Sequence, residues 1–156
     1  PCVLDVNDIF PEFRLIGHHG KEVTSDYKHG SWYLIYWYPK ADTPGCTAQA
    51  QGLRDQIEAF EELDCVVLGV SFDLPEDNAA FASKYKLPFT LLSDPKGVLA
   101  HRVGAFDAEL GAPSRIAHLV DSSGRVRRAY VVEAPGYFAE MVLDDLEAMG
   151  DCDPNE

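Results

Sequence analysis

The stretch SWYLIYWYP, residues 31 to 39, sets aromatic and aliphatic residues at successive positions without polar alternation. Such a run predicts a buried strand, and Pro39 ends it. A second buried strand is predicted over CVVLGVSFD, residues 65 to 73. Between the two, Cys46, Ala50, Leu53, Ile57 and Phe60 recur at helical spacing, with Arg54, Asp55, Glu58 and Glu61 interleaved. That periodicity predicts one helix from Cys46 onward, with Cys46 on its core-facing stripe. LPEDNAAFASKYK predicts a helix with Pro75 in its first turn, and SDPKGVLAHRVG a short helix capped by Asp94 with Pro95 just inside. EFRLIGHHGKEVTS predicts a small hairpin near the start of the chain. Toward its end, SRIAHLVDSSGRVRRAYVV predicts two strands around a turn at Gly124, and GYFAEMVLDDLEAM an amphipathic helix.

The resulting order is β-hairpin, β, α, β, α, α, β, β, α. Alternation of strands and helices predicts an α/β protein with a sheet covered by helices, and 156 residues without a linker or repeat predict one domain over residues 1–156. The formal net charge of −13 repels a phosphate backbone and gives an anionic membrane surface little to attract, so nucleic acid and membrane are not expected partners. The run from Tyr33 to Tyr38 is too short to cross a bilayer, and residues 1 to 12 lack the order of a signal peptide, which makes the cytoplasm the expected location. Four cysteines, Cys2, Cys46, Cys65 and Cys152, are too few and too scattered for a disulfide scaffold and lack zinc spacing. Two adjacent histidines in GHHG, residues 17 to 20, are expected to be solvent-exposed, and no metal and no cofactor is expected.

Chemistry concentrates at PKADTPGC, residues 39 to 46. A helix starting at Cys46 points unpaired backbone N–H groups and the positive end of its dipole at the sulfur, and both favour the thiolate. The spacing of Pro39, Thr43 and Cys46 lets one strand-to-helix loop carry a ring wall, a hydroxyl and a thiol into one pocket. The competing readings are an inert small hydrophobe for Cys46, a helix cap for Thr43 and simple punctuation for Pro39. A dithiol oxidoreductase of the thioredoxin type is disfavoured, because Gln49 stands where its second cysteine belongs.

The pattern Pro-x-x-x-Thr-x-x-Cys at Pro39, Thr43 and Cys46 resembles the peroxiredoxin signature, and YWYPKADTPGCT resembles the Q subfamily, the bacterioferritin comigratory protein group. LDVNDIFPEFRL, LLSDPKGVLAHRVGAF and SRIAHLVDSSGRV extend the resemblance over nearly the whole chain. The resemblance implies a thioredoxin-like fold, a central mixed β-sheet flanked by helices with an N-terminal β-hairpin extension. It also implies a thiol-dependent peroxidase for hydrogen peroxide and organic hydroperoxides, in which Cys46 attacks the peroxide, Thr43 and Arg115 orient it and Pro39 shields the sulfur. Phe89 is a pocket wall by the same resemblance, though core packing accounts for it equally.

The chain departs from the family at the resolving cysteine. Gln51 occupies the usual position five residues after Cys46, and PEDNAAFASKYK contains no cysteine. Cys65 opens a buried strand and reads as an inert core thiol, while Cys2 and Cys152 lie near the ends and read as idle surface thiols able to reach a sulfenic acid. The expectation is a one-cysteine cycle served by an external thiol such as thioredoxin, glutaredoxin or glutathione, in a monomer or weak dimer. A peroxide sensor, redox relay or holdase using the same cysteine is the alternative. His118, three residues past Arg115, falls on the opposite face of a strand and is expected to be a satisfied core or edge histidine.

Overall fold

The computed structural model of the chain describes residues 3–26 and 30–151. Cys2 and Cys152 lie outside the described residues. A seven-stranded mixed sheet forms the centre. Its strands are β1 (Arg14–Gly17), β2 (Glu22–Thr24), β3 (Trp32–Trp37), β4 (Cys65–Ser71), β5 (Thr90–Ser93), β8 (Ile116–Val120) and β9 (Val126–Val131), in the spatial order β2-β1-β5-β4-β3-β8-β9. β3, β4 and β5 are parallel, their connections long enough to cross over through helices, and the remaining pairs are antiparallel. The N-terminal hairpin β1–β2 continues the same sheet beyond β5.

Strand alternation sends Leu34, Tyr36 and Tyr38 to one face, where they pack with Cys46, Ala50, Leu53, Ala117 and Leu119. Ile35 and Trp37 go to the other, with Phe10, Leu92, Leu99 and Val103. Helices α1 (Pro44–Asp55), α2 (Ile57–Glu62), α3 (Pro75–Tyr85) and α5 (Phe138–Asp151) contribute to the first layer, and α4 (Val98–Val103) to the second. No described helix is long and apolar enough to cross a membrane.

Four local features differ from the sequence reading. The helix expected from Cys46 onward starts two residues earlier, at Pro44, and breaks at Gln56, whose N–H turns back to the Leu53 carbonyl and re-aims α2. β5 was not anticipated: it has only four residues, and its apolar run merges with the preceding LPF. The same holds for the two-residue strands β6 (Phe106–Asp107) and β7 (Ala112–Pro113). Pro95 lies in a turn ahead of α4, yet Asp94 still serves that helix, its carboxylate accepting the N–H groups of Leu99 and Ala100. His18 is only half-exposed, turned toward β5, where the Leu91 N–H donates to its Nδ1 at 3.1 Å; its neighbour His19 is exposed, as expected.

Candidate functional site

The loop from Tyr38 to Thr43 leaves the C-terminal end of β3, the ordinary place for a site in a parallel sheet. Thr43 is the N-cap residue of α1 and Pro44 fills its first turn, where a missing N–H costs no helical bond. The first backbone bond of the helix runs from the Thr47 N–H to the Thr43 carbonyl, so the N–H groups of Gly45 and Cys46 have no partner within the helix. Thr43 makes no side-chain cap; its hydroxyl donates instead to the Lys40 carbonyl at 2.8 Å. Pro39 begins the loop, partly buried and without a hydrogen bond to the sulfur.

Cys46 is 1% exposed. Arg115, one residue ahead of β8, reaches across from the neighbouring strand, and its Nη1 donates to the Cys46 Sγ at 3.5 Å and to the Gln49 Oε1 at 3.0 Å. Its other terminal nitrogen fills the space above Gly45: a Cβ there would sit 2.8 Å from Nη2, so any larger residue would make the guanidinium shift from this place. Positive charge and backbone donors therefore surround one thiol at a helix start.

The structure thus brings Cys46 and Arg115 into contact and sets Thr43 in the same first turn. Gln49 escaped the sequence reading as a site residue. It is fully buried on the apolar stripe one turn after Cys46, and its Nε2 has no protein partner among the described residues. A polar residue at that spacing on a core-facing stripe was the available signal. Phe89 packs in the buried cluster that includes Cys46, edge-on to Tyr36 with ring centroids 6.2 Å apart.

His118 points to the other side of the sheet, edge-on to Phe10, and its Nε2–H donates to the Leu4 carbonyl at 2.9 Å. Its Nδ1 is buried without a partner among the described residues, so the ring is only half satisfied there. Burial lowers its pKa from the ordinary value, against the hydrogen bond to Leu4 and the charges of Asp8 and Asp5. Cys65 is a different thiol from Cys46. Burial pushes it up to about 12. In the β3–β4 register it pairs with Trp32 while Val70 pairs with Trp37, which sets it about 16 Å along the strand from the end that carries the loop.

The profile of the AhpC/TSA family matches residues 6–129. The chain belongs to the AhpC/TSA family. It is 39% identical to the peroxiredoxin Bcp of Bacillus subtilis (strain 168), over 95% of this chain and 98% of that one. The crystal structure of peroxidoxin BcpB from Mycobacterium tuberculosis superposes with a TM-score of 0.88 at 27% identity, covering 94% of this chain and 98% of that one. The structure of the Xanthomonas campestris bacterioferritin comigratory protein, reported for its alkyl peroxide reduction activity, matches at a TM-score of 0.84 and 26% identity, covering 93% and 98%. The sheet and its helices are thus the thioredoxin-like arrangement of the peroxiredoxins. Peroxiredoxins are thiol peroxidases, and thiol-dependent peroxide reduction is the activity of this chain.

Proposed function

We propose that Cys46 is the peroxidatic residue of a one-cysteine cycle that reduces hydrogen peroxide and organic hydroperoxides. The observation that carries this reading is the Arg115 guanidinium, 3.5 Å from the Cys46 sulfur at the start of α1. The Cys46 thiolate attacks the terminal peroxide oxygen. The O–O bond breaks, the sulfur becomes a sulfenic acid, and the departing oxygen takes a proton to leave as water or an alcohol. Arg115 and the free N–H groups of Gly45 and Cys46 stabilise the charge that develops on the oxygens. The Thr43 hydroxyl has spent its proton on Lys40, so its lone pairs are left to accept the peroxide O–H. Pro39 limits water at the sulfur. The likeness to the Xanthomonas campestris protein supports alkyl hydroperoxides as substrates alongside hydrogen peroxide.

Resolution falls to an external thiol. Gln51 stands five residues after Cys46, α3 carries no cysteine, and Cys65 is at the far end of its strand. A thiol such as thioredoxin, glutaredoxin or glutathione attacks the sulfenic sulfur, water leaves, and a second thiol releases the mixed disulfide. The whole reaction is proposed for a single domain, as a monomer or weak dimer.

One equivalent of hydrogen peroxide added to the reduced protein, with and without a sulfenic-acid trap, tests the reading by intact and peptide mass. A trap adduct at Cys46, absent in Cys46→Ser, is the expected result. A disulfide from Cys46 to Cys2, Cys65 or Cys152 would replace the one-cysteine cycle, and an unreactive Cys46 would overturn the proposal. Steady-state turnover with a thiol reductant separates the peroxidase from a sensor that oxidises once and stalls.

A further inference from the structure

The loop carrying Pro39 and Thr43 is fastened to α3 and its leading turn at several points. The Tyr38 hydroxyl donates to the buried Asn78 Oδ1 at 2.6 Å. The Ala41 N–H donates to Asp73 Oδ2 at 2.8 Å, just ahead of α3. Asp42 reaches the other end of the helix: Lys84 Nζ donates to its Oδ2 at 2.8 Å and the Tyr85 hydroxyl to its Oδ1 at 2.6 Å. From α1, Arg54 Nη1 donates to the Tyr85 carbonyl at 2.8 Å, so the helix bearing Cys46 is tied to the same turn of α3.

Asp42 is also one of the few described non-glycine residues in the left-handed region, at φ 60°. A side chain with a Cβ adopts this conformation against a steric cost, so it persists only where surrounding contacts hold it. Both carboxylate oxygens of Asp42 are engaged, and those donors, Lys84 first and Tyr85 second, hold its carboxyl below the ordinary value. The next residue is Thr43, whose carbonyl starts α1 and whose hydroxyl turns back on Lys40.

We infer that Asp42 is a positioning residue for the peroxide reaction: clasped by Lys84 and Tyr85, it holds the left-handed turn that sets Thr43 against the start of the Cys46 helix. The inference rests on the peroxidase reading. It assigns Asp42 no contact with peroxide; its effect passes through the Thr43 hydroxyl and the orientation of the first turn of α1. Loosening the clasp slows sulfur oxidation and leaves the later attack by a small thiol unaffected.

The test measures the second-order rate of Cys46 oxidation by hydrogen peroxide in the full chain, beside the rate of sulfenic acid reduction by dithiothreitol and the thermal midpoint. Asp42→Ala, Asp42→Gly and the pair Lys84→Met with Tyr85→Phe are each expected to lower the oxidation rate about tenfold, on the scale of a misplaced reacting group. Reduction of the sulfenic acid stays at the wild-type rate. Asp42→Gly separates the clasp from the turn, since glycine accepts the left-handed backbone freely. Lys84→Arg retains the donor and most of the rate, and Asp144→Asn, exposed on α5, is the control for lost surface charge. The variant lacking all three clasp residues should be no slower than Asp42→Ala. Hydrogen peroxide is neutral, so raised ionic strength should slow the wild type through the exposed Asp42–Lys84 pair and not Asp42→Ala.

A wild-type oxidation rate in either Asp42→Ala or Asp42→Gly, or losses from the two sides of the clasp that simply add, would overturn the inference while the peroxidase reading stands. A wild-type chain whose Cys46 does not react with peroxide would remove that reading itself. The Lys84 and Tyr85 variants leave Asp42 in place and decide the question if Asp42→Ala fails to fold.

Discussion

Arg115 serves the sulfur and the Gln49 amide through a single nitrogen, so its role is one of direction as well as charge. Arg115→Met is expected to slow Cys46 oxidation about a hundredfold to a thousandfold, the usual loss for one donor aimed at developing charge. Arg115→Lys should recover little, because an ammonium lacks the planar fork. Gly45→Ala should slow the same step with the fold intact, since the new methyl occupies the space of Nη2. Rapid-mixing measurement of sulfenic acid formation reads all three, and a wild-type rate in Gly45→Ala would detach the guanidinium from the chemistry. At this scale the sequence spelled out the contiguous part of the site: Pro39, Thr43 and Cys46 share one loop, and their types carry their chemistry. Arg115 lies 69 residues from Cys46 and came into view only through resemblance, because an arginine at the head of a strand has many uses. Gln49 went unseen because amphipathic periodicity treats any polar residue on the stripe as noise.

Elements inform the pH response. His118 on β8 ties the N-terminal segment to the sheet through Leu4, and its buried Nδ1 offers no place for a second proton. Burial depresses its folded pKa, so the unfolded chain binds the proton first. Stability is complete above the ordinary value of 6.5 and declines as the pH falls through it. Denaturant midpoints between pH 7.5 and pH 5.5 should show this decline, and His118→Gln should lessen it, leaving the share of His18, whose value burial also lowers; an unchanged slope would exonerate the His118 ring. β3 and β4 were legible because each is long and nearly uniformly apolar, and α3 because Pro75 marks its first turn. β5 and the break at Gln56 were not: four residues carry no period, and a bend without glycine or proline is set by what α2 packs on rather than by its own chain. Cys65 illustrates the reverse case, since its inertness was read from position in a strand. Iodoacetamide at pH 8 should leave it unlabelled in the native protein and label it on unfolding.

At the scale of the whole molecule, the net charge of −13 acts on the reductant before any contact forms. Glutathione is anionic, so added salt should accelerate its reduction of the Cys46 sulfenic acid while leaving a neutral thiol unaffected; equal salt responses would show that the field does not reach the site. The sheet adds a further consequence. Its described edges are β2, three residues long, and β9, six residues long with Arg127 and Arg128 side by side. The two arginines serve separate faces: Arg127 pairs with Asp121 at 3.4 Å and lies over the Trp32 ring, and strand alternation sends Arg128 the other way. The N-terminal segment covers the start of the β9 edge, the Asn7 N–H donating to the Val126 carbonyl and the Val126 N–H to the Asp8 carbonyl, each at 2.8 Å, so a second copy meets a strand already paired where it begins. The segment ahead of β1 thus shortens the edge that the sheet leaves open to another copy.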